Sequence, residues 1–309
     1  MHFLDFLLNN DYDDSQNHSL PFEKDSEKKI LSKLGLGYCL LIMLMFFIPT
    51  ILIILSHTED MHLILVYNLL AFSFGGFVLY HIVKEVPESE SLHDRKLNIP
   101  QYLFYLILGY GLMMLGYLLT NIISSFFIPN LTNPLQSFDS SNIIATFLYA
   151  AILGPIFEEL FFRKFLISRI ARYGELFAIL ASSLLFALYH MNYYQFLGVF
   201  FFGVILAFVY LRTNNIIYVI TLHQIANFLG LVLPNLIGSD PTLINYFNIC
   251  DLIIAVLAGL FALYFVFKVK LRDGEVIVSK FEGLKFFFTN PSILIFIFLA
   301  LLIGYLNLG

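Results

Sequence analysis

The sequence predicts an all-α, polytopic transmembrane helical bundle of about 8–9 membrane-spanning helices. Three observations carry this prediction. The 309 residues are 59% hydrophobic and 13% charged, with a mean hydropathy of +0.83, whereas a soluble domain carries roughly one quarter charged residues. Apolar runs long enough to approach a bilayer core, about 20 residues each, recur along the chain. The 17 Lys and Arg residues fall only in alternate connecting segments, the pattern of short cytoplasmic loops.

Nine runs can be placed in order: Leu34 to Leu55, His62 to Val83, Gln101 to Ile128, Ile143 to Ile170, Leu176 to His190, Gln195 to Leu211, Ile216 to Pro234, Phe247 to Phe267 and Ser292 to Leu308. They must be helices, because a lipid-exposed backbone has to satisfy its hydrogen bonds within the segment. The fifth, sixth and ninth are short. Lys24, Lys28, Lys29 and Lys33 precede the first run, Lys84, Arg95 and Lys96 follow the second, and Arg163, Lys164, Arg169 and Arg172 end the fourth. Arg212 follows the sixth, and Lys268, Lys270, Arg272, Lys280 and Lys285 follow the eighth. This parity expects a multi-pass protein of the cell membrane, its amino terminus cytoplasmic and its carboxyl terminus outside.

Four regions are expected: a polar cytoplasmic tail over 1–30, amino-terminal spans over 31–142, a catalytic core over 143–236 and carboxyl-terminal spans over 237–309. The acidic, polar stretch 9–30 reads as disordered, and the opening residues lack the basic region of a secretory signal. The loop from Asp273 to Pro291 mixes Phe with Lys, as an interfacial segment or an ordinary connector would. A net charge of −5 gives no footprint for nucleic acid. Cys39 and Cys250 lie in apolar runs and read as small hydrophobes.

An ionisable group within a span costs about 2.5–3.5 kcal/mol on insertion scales, so each one calls for a reason. The fourth run holds Glu158, Glu159 and Arg163 in GPIFEELFFRKF, the fifth holds Phe186 and His190 in FALYH, and the seventh holds His223 and Asn227 in HQIAN. Residues i and i+4 share a helix face, so Glu159 and Arg163 can pair while Glu158, about 100° away, stays free. The plainer reading of Glu159 is a structural ion pair, and a single intramembrane His is often a packing residue. Asp251 reads as a helix-start residue, and Gly198 and Gly203 as close packing. Counting 1.5 Å per residue from Arg169, Gly174 and Asn214 puts Glu158 roughly 16 Å deep, His190 24 Å, His223 13 Å and Asn227 19 Å. His190 is the outlier. The same orientation has the site open toward the cytoplasm.

Peptide hydrolysis needs a base for water, a group to orient it and donors for the developing oxyanion. Glu158 suits the first role, His190 the second, and His223 with Asn227 the third. Glu159 and Arg163 would fix the helix end or hold a substrate carboxylate. Glu158, His190 and His223 are also the set that could bind zinc, although they lack the HExxH arrangement. A metal-free site is favoured on that spacing.

These three motifs, in this order on three helices, resemble the CPBP family (CAAX proteases and bacteriocin-processing enzymes, also called Abi) over about Ile143 to Leu229. The resemblance implies a glutamate-type intramembrane endopeptidase. In it Glu158 activates water, His190 assists, His223 and Asn227 stabilise the oxyanion, and Glu159, Arg163 and Phe186 support them. The expected partners are the lipid bilayer and a membrane-bound peptide or protein substrate: a bacteriocin or pheromone precursor, an exported peptide or a CAAX-like tail. The competing functions are a catalytically silent membrane regulator or immunity protein of the same fold, and a proton-coupled transporter, which would be expected to carry inverted repeats.

Overall fold

The computed structural model describes residues 20–90, 92, 94–128, 131, 143–238, 240–277 and 279–306, with the side-chain exposure of 146, 280 and 281 excepted. Ten helices follow one another with no strand among these residues. They are α1 (Lys24–Ser56), α2 (Met61–Val83), α3 (Ile99–Phe127), α4 (Ile143–Tyr173), α5 (Glu175–Tyr189), α6 (Phe196–Thr213), α7 (Ile216–Ile237), α8 (Pro241–Val266), α9 (Lys280–Phe288) and α10 (Pro291–Leu306).

Local signals set the helix ends. Asn98 and Gln101 form a reciprocal capping box at the start of α3, each side chain 2.9 Å from the other's backbone N–H, which satisfies two otherwise orphaned donors. Asp60 caps α2 through His62 N–H, Asn215 caps α7 through Ile217 N–H, and Asp240 caps α8 through Thr242 and Leu243 N–H. Gly174, at φ 102°, turns α4 into α5. A side chain there would force a left-handed backbone that only glycine adopts freely.

Seven helices are long and apolar enough to cross a membrane, or eight if α9 and α10, bent by 63°, count as one broken span. The nine runs placed on the sequence are thereby reduced. α5 has 15 residues, about 22 Å at 1.5 Å each, against a hydrocarbon core of about 30 Å. It ends inside the bundle and returns through Met191 to Gln195 into α6. The tail expected over 1–30 is also shorter in structure: 1–19 lie outside the described residues, but α1 begins at Lys24 and Leu20 pairs with Glu275 and Ile277. The segment 273–291 contains α9 rather than a plain loop.

α6 is the buried centre, packed against α3 and α5, while α8 covers α3 and faces outward along most of its length. Close approach of α6 to α3 and to α5 depends on glycine. A methyl group on Gly116 would run into the backbone of Gly198, and one on Gly203 would press on Ser183 and Phe186. The outer surface carries large apolar side chains such as Ile54, Phe77, Phe127, Leu257 and Phe298, which only lipid would leave without cost. The chain is thus a polytopic membrane bundle.

One end of the bundle gathers the ion pairs. Lys33 meets Glu85, Arg169 and Lys164 meet Glu88 at 3.6 and 3.5 Å, Arg172 meets Glu27 at 3.3 Å, and Arg212 and Arg272 meet Glu175 at 2.7 and 3.0 Å. The Lys33 ammonium holds the Glu85 carboxyl below the usual carboxylate range.

Candidate active site

The site is built where the helices are least regular. α4 changes from α to π-helix over Phe147–Leu153, back to α over Gly154–Glu159, and to π again over Leu160–Ile167. α7 turns π over Phe228–Val232, directly after Asn227. Such π turns are rare and concentrate at functional sites. The α turn that carries Glu158 and Glu159 is bracketed by two of them, and the loosened ladder offers its carbonyls to side chains. Asn227 donates to Ala150 O at 2.8 Å and Gln224 to Ile152 O at 3.2 Å, pinning α7 to α4.

α4 and α5 form an antiparallel hairpin about Gly174, with Ser182 donating to Phe162 O at 3.0 Å and Phe162 against the rings of Phe186 and Tyr189 at 5.3 and 5.2 Å. This register brings His190 Nε2 within 3.9 Å of Glu158 Oε2. The depth mismatch expected for His190 is absent. Counting Glu158 from Arg169 made it about 8 Å too shallow, because α4 continues through Ala171–Tyr173 to Gly174.

The two adjacent carboxylates have different surroundings. Glu159 and Arg163 are both 0% exposed, with Nε 3.1 Å from Oε2, and the guanidinium also lies over the Phe186 ring at 4.5 Å. His223 Nδ1 approaches the other Glu159 oxygen at 2.9 Å. Buried and removed from the chamber, Arg163 is not placed to hold a substrate carboxylate. Glu158, its side chain 13% exposed, has Oε2 3.7 Å from His223 Nε2. Phe186 is the hub, its ring edge-on to His190 at 4.9 Å and to His223 at 5.7 Å.

Partner chemistry fixes the histidine protons. The Phe186 carbonyl, 2.9 Å from His190 Nδ1, can only accept, so that nitrogen carries hydrogen and Nε2 is the face turned to Glu158. His223 is oriented in the same way by Glu159. Gaps of 3.7 and 3.9 Å exceed a direct hydrogen bond and suit a bridging water.

Glu158, His190, His223 and Asn227 line one chamber of about 550 Å³. Tyr149, Tyr189, Asn192 and Gln195 line it as well. The sequence reading missed these four; the Tyr189 hydroxyl is buried with no hydrogen-bond partner among the described residues, and only its place beside His190 hinted at a role. Met61, the first residue of α2, also lines the chamber. The chamber therefore extends away from the ion-paired end of the bundle, which corrects the expected opening toward the Lys- and Arg-rich side. The packed Glu159, Arg163 and Phe186 close it below. Among the described residues no group of three His, Cys, Asp or Glu side chains is placed to hold a metal ion, and no step below runs through one.

Residues 140–229 match the family model for type II CAAX prenyl endopeptidase Rce1-like proteins, the CPBP/CAAX protease family that the three motifs resemble. No curated protein matches the chain. No solved structure matches it.

Proposed function

We propose that the protein is an intramembrane endopeptidase of the glutamate type. The observation that carries this reading is the convergence of His190 and His223 on Glu158, the one of the two adjacent carboxylates that is not paired with Arg163. A carboxylate left in a membrane interior without a cation needs a use, and a match to an endopeptidase family supplies one.

In this reading a water held between Glu158 and the two Nε2 atoms gives a proton to Glu158 as its oxygen attacks the peptide carbonyl. The new oxyanion accepts hydrogen bonds from the Asn227 amide and from His223. Collapse of the tetrahedral intermediate breaks the C–N bond, and protonated Glu158 returns its proton to the leaving amine. Tyr189, with its unpaired hydroxyl, is a further oxyanion donor.

Charge bias assigns the ion-paired end to the cytoplasm, with the chamber facing the outer half of a cell membrane. That orientation favours an exported or membrane-anchored peptide as substrate over a cytosolic tail. The test is a panel of membrane-anchored peptides incubated with purified protein, with products identified by mass spectrometry. A discrete cut that needs no added cofactor is the expected result. Folded protein that cleaves none of the panel would favour the silent regulator.

A further inference from the structure

A second chamber of about 520 Å³ lies beside the first, and the two share Tyr117, Gly230 and Leu231 in their walls. Its other lining includes Asn121 near the end of α3, Asn235 at the end of α7, and Asn248 and Asp251 on α8. All three helix regions lie toward the end of the bundle away from the ion pairs. Both chambers thus open in the same direction.

Asp251 is not the helix-start residue its sequence position suggested. Asp240 caps α8, and Asp251 lies inside the helix, ten residues beyond Pro241, about 15 Å from that end. Its depth from the charged end, 15 residues before Val266 or about 22 Å, is close to the roughly 24 Å of His190 beyond Gly174. Among the described residues its recorded partner is the Tyr110 hydroxyl, which donates to one carboxylate oxygen at 2.8 Å. Among the described residues no Lys, Arg or His lines the chamber. The buried Arg163 is taken by Glu159, and the other Lys and Arg residues fall in the connecting segments of the other end. A carboxylate at this depth with no cation of its own, facing a cavity, is an incomplete ion pair.

We infer that the Asp251 chamber is a specificity subsite that binds a cationic nitrogen of the peptide substrate, a Lys or Arg side chain, while the scissile bond lies against Glu158. The inference rests on the protease reading. Its geometry is a peptide lying across the Tyr117, Gly230 and Leu231 wall, with its backbone amides within reach of the Asn121, Asn235 and Asn248 side chains. Tyr117 stacks on Tyr194 at 5.9 Å, which makes the shared wall a flat aromatic surface over which a chain can pass. Tyr110 fixes the orientation of Asp251 and leaves its second oxygen for the incoming cation.

The test measures binding first, so that it stands apart from cleavage. Fluorescent membrane-anchored peptides carrying one lysine, scanned through successive positions, and matched peptides with norleucine in its place are titrated onto full-length Glu158→Gln protein, with acetylated amino termini throughout. One lysine position should bind at least ~10-fold tighter than its norleucine match, and that ratio should fall to near one in Glu158→Gln/Asp251→Asn. Asn keeps the acceptor for Tyr110, and binding of the norleucine peptide by the double variant reports that the chamber is intact. Asp251→Glu should restore the preference. A lysine-to-norleucine ratio that is near one at every position, or that survives Asp251→Asn, would overturn the subsite. Wild-type cleavage of the same peptides separately decides the protease reading.

Discussion

Glu158 and His190 each lie sixteen residues from Gly174, on opposite arms of the hairpin it turns, and their side chains meet with Nε2 3.9 Å from Oε2. Equal arm lengths make this meeting a consequence of register rather than of side-chain reach. Inserting one residue on either arm should misalign the pair. An alanine inserted between Ala178 and Ile179 turns every later residue of α5 by about 100° and carries His190 off the chamber. Cleavage should fall at least ~100-fold, the scale of a lost catalytic group. Activity that tolerates the insertion would contradict the register.

The buried Glu159 and Arg163 pair should behave as a unit. Arg163→Met leaves a buried carboxylate and Glu159→Gln a buried guanidinium, each costing about 3–5 kcal/mol. The double variant should cost much less than their sum. Thermal unfolding of the four proteins in one detergent measures the coupling. Strict additivity would mean that the two charges act independently.

Tyr189→Phe removes one hydroxyl from the chamber and no packing. If that hydroxyl donates to the oxyanion, kcat should fall about 10²-fold or more with KM little changed. An unchanged kcat would return Tyr189 to a packing role.

Much of this site was legible in the sequence because membrane chemistry is stringent. Ionisable residues are so rare in the spans that Glu158, Glu159, Arg163, His190 and His223 stood out without a structure, and helical spacing separated the roles of the two glutamates. The helices themselves follow from hydropathy. What was hidden depends on backbone detail. Nothing in FLYAAIL or LFFRKFLI announces a π turn, so the offering of Ala150 O and Ile152 O to α7 could not be foreseen. The level of Glu158 depended on where α4 ends, and a count begun at Arg169 stopped one turn early. The fifth run looked like a short span, yet its 15 residues make it one arm of a hairpin whose far end carries His190 to Glu158. Asp251 was misread because the true start of α8, at Pro241, is six residues before the apolar run.

Close packing gives another test. Gly116→Leu places a side chain where the Gly198 backbone already lies. Overpacking of this kind typically costs about 1–3 kcal/mol, and α3 lines both chambers while α6 lines the first. The midpoint of thermal unfolding should drop and cleavage should fall with it, whereas an exposed control such as Ile107→Leu changes neither. Equal unfolding midpoints would show that the two helices are not in contact.

A chelator series bears on the same chamber. Because the chemistry is assigned to Glu158, two imidazoles and an amide, prolonged dialysis against a strong chelator should leave kcat/KM unchanged. Loss of activity with recovery on added zinc would transfer the water to a metal held by Glu158, His190 and His223.

The central claim is that Glu158 activates the attacking water. Its most direct measurement is the rate at which purified Glu158→Gln protein, shown to unfold at the wild-type temperature, cleaves a membrane-anchored peptide that the wild type cuts. Gln keeps the shape and loses the base, so the rate should fall by about 10²–10⁴-fold or beyond detection. Cleavage by Glu158→Gln at a rate near that of the wild type would contradict the account.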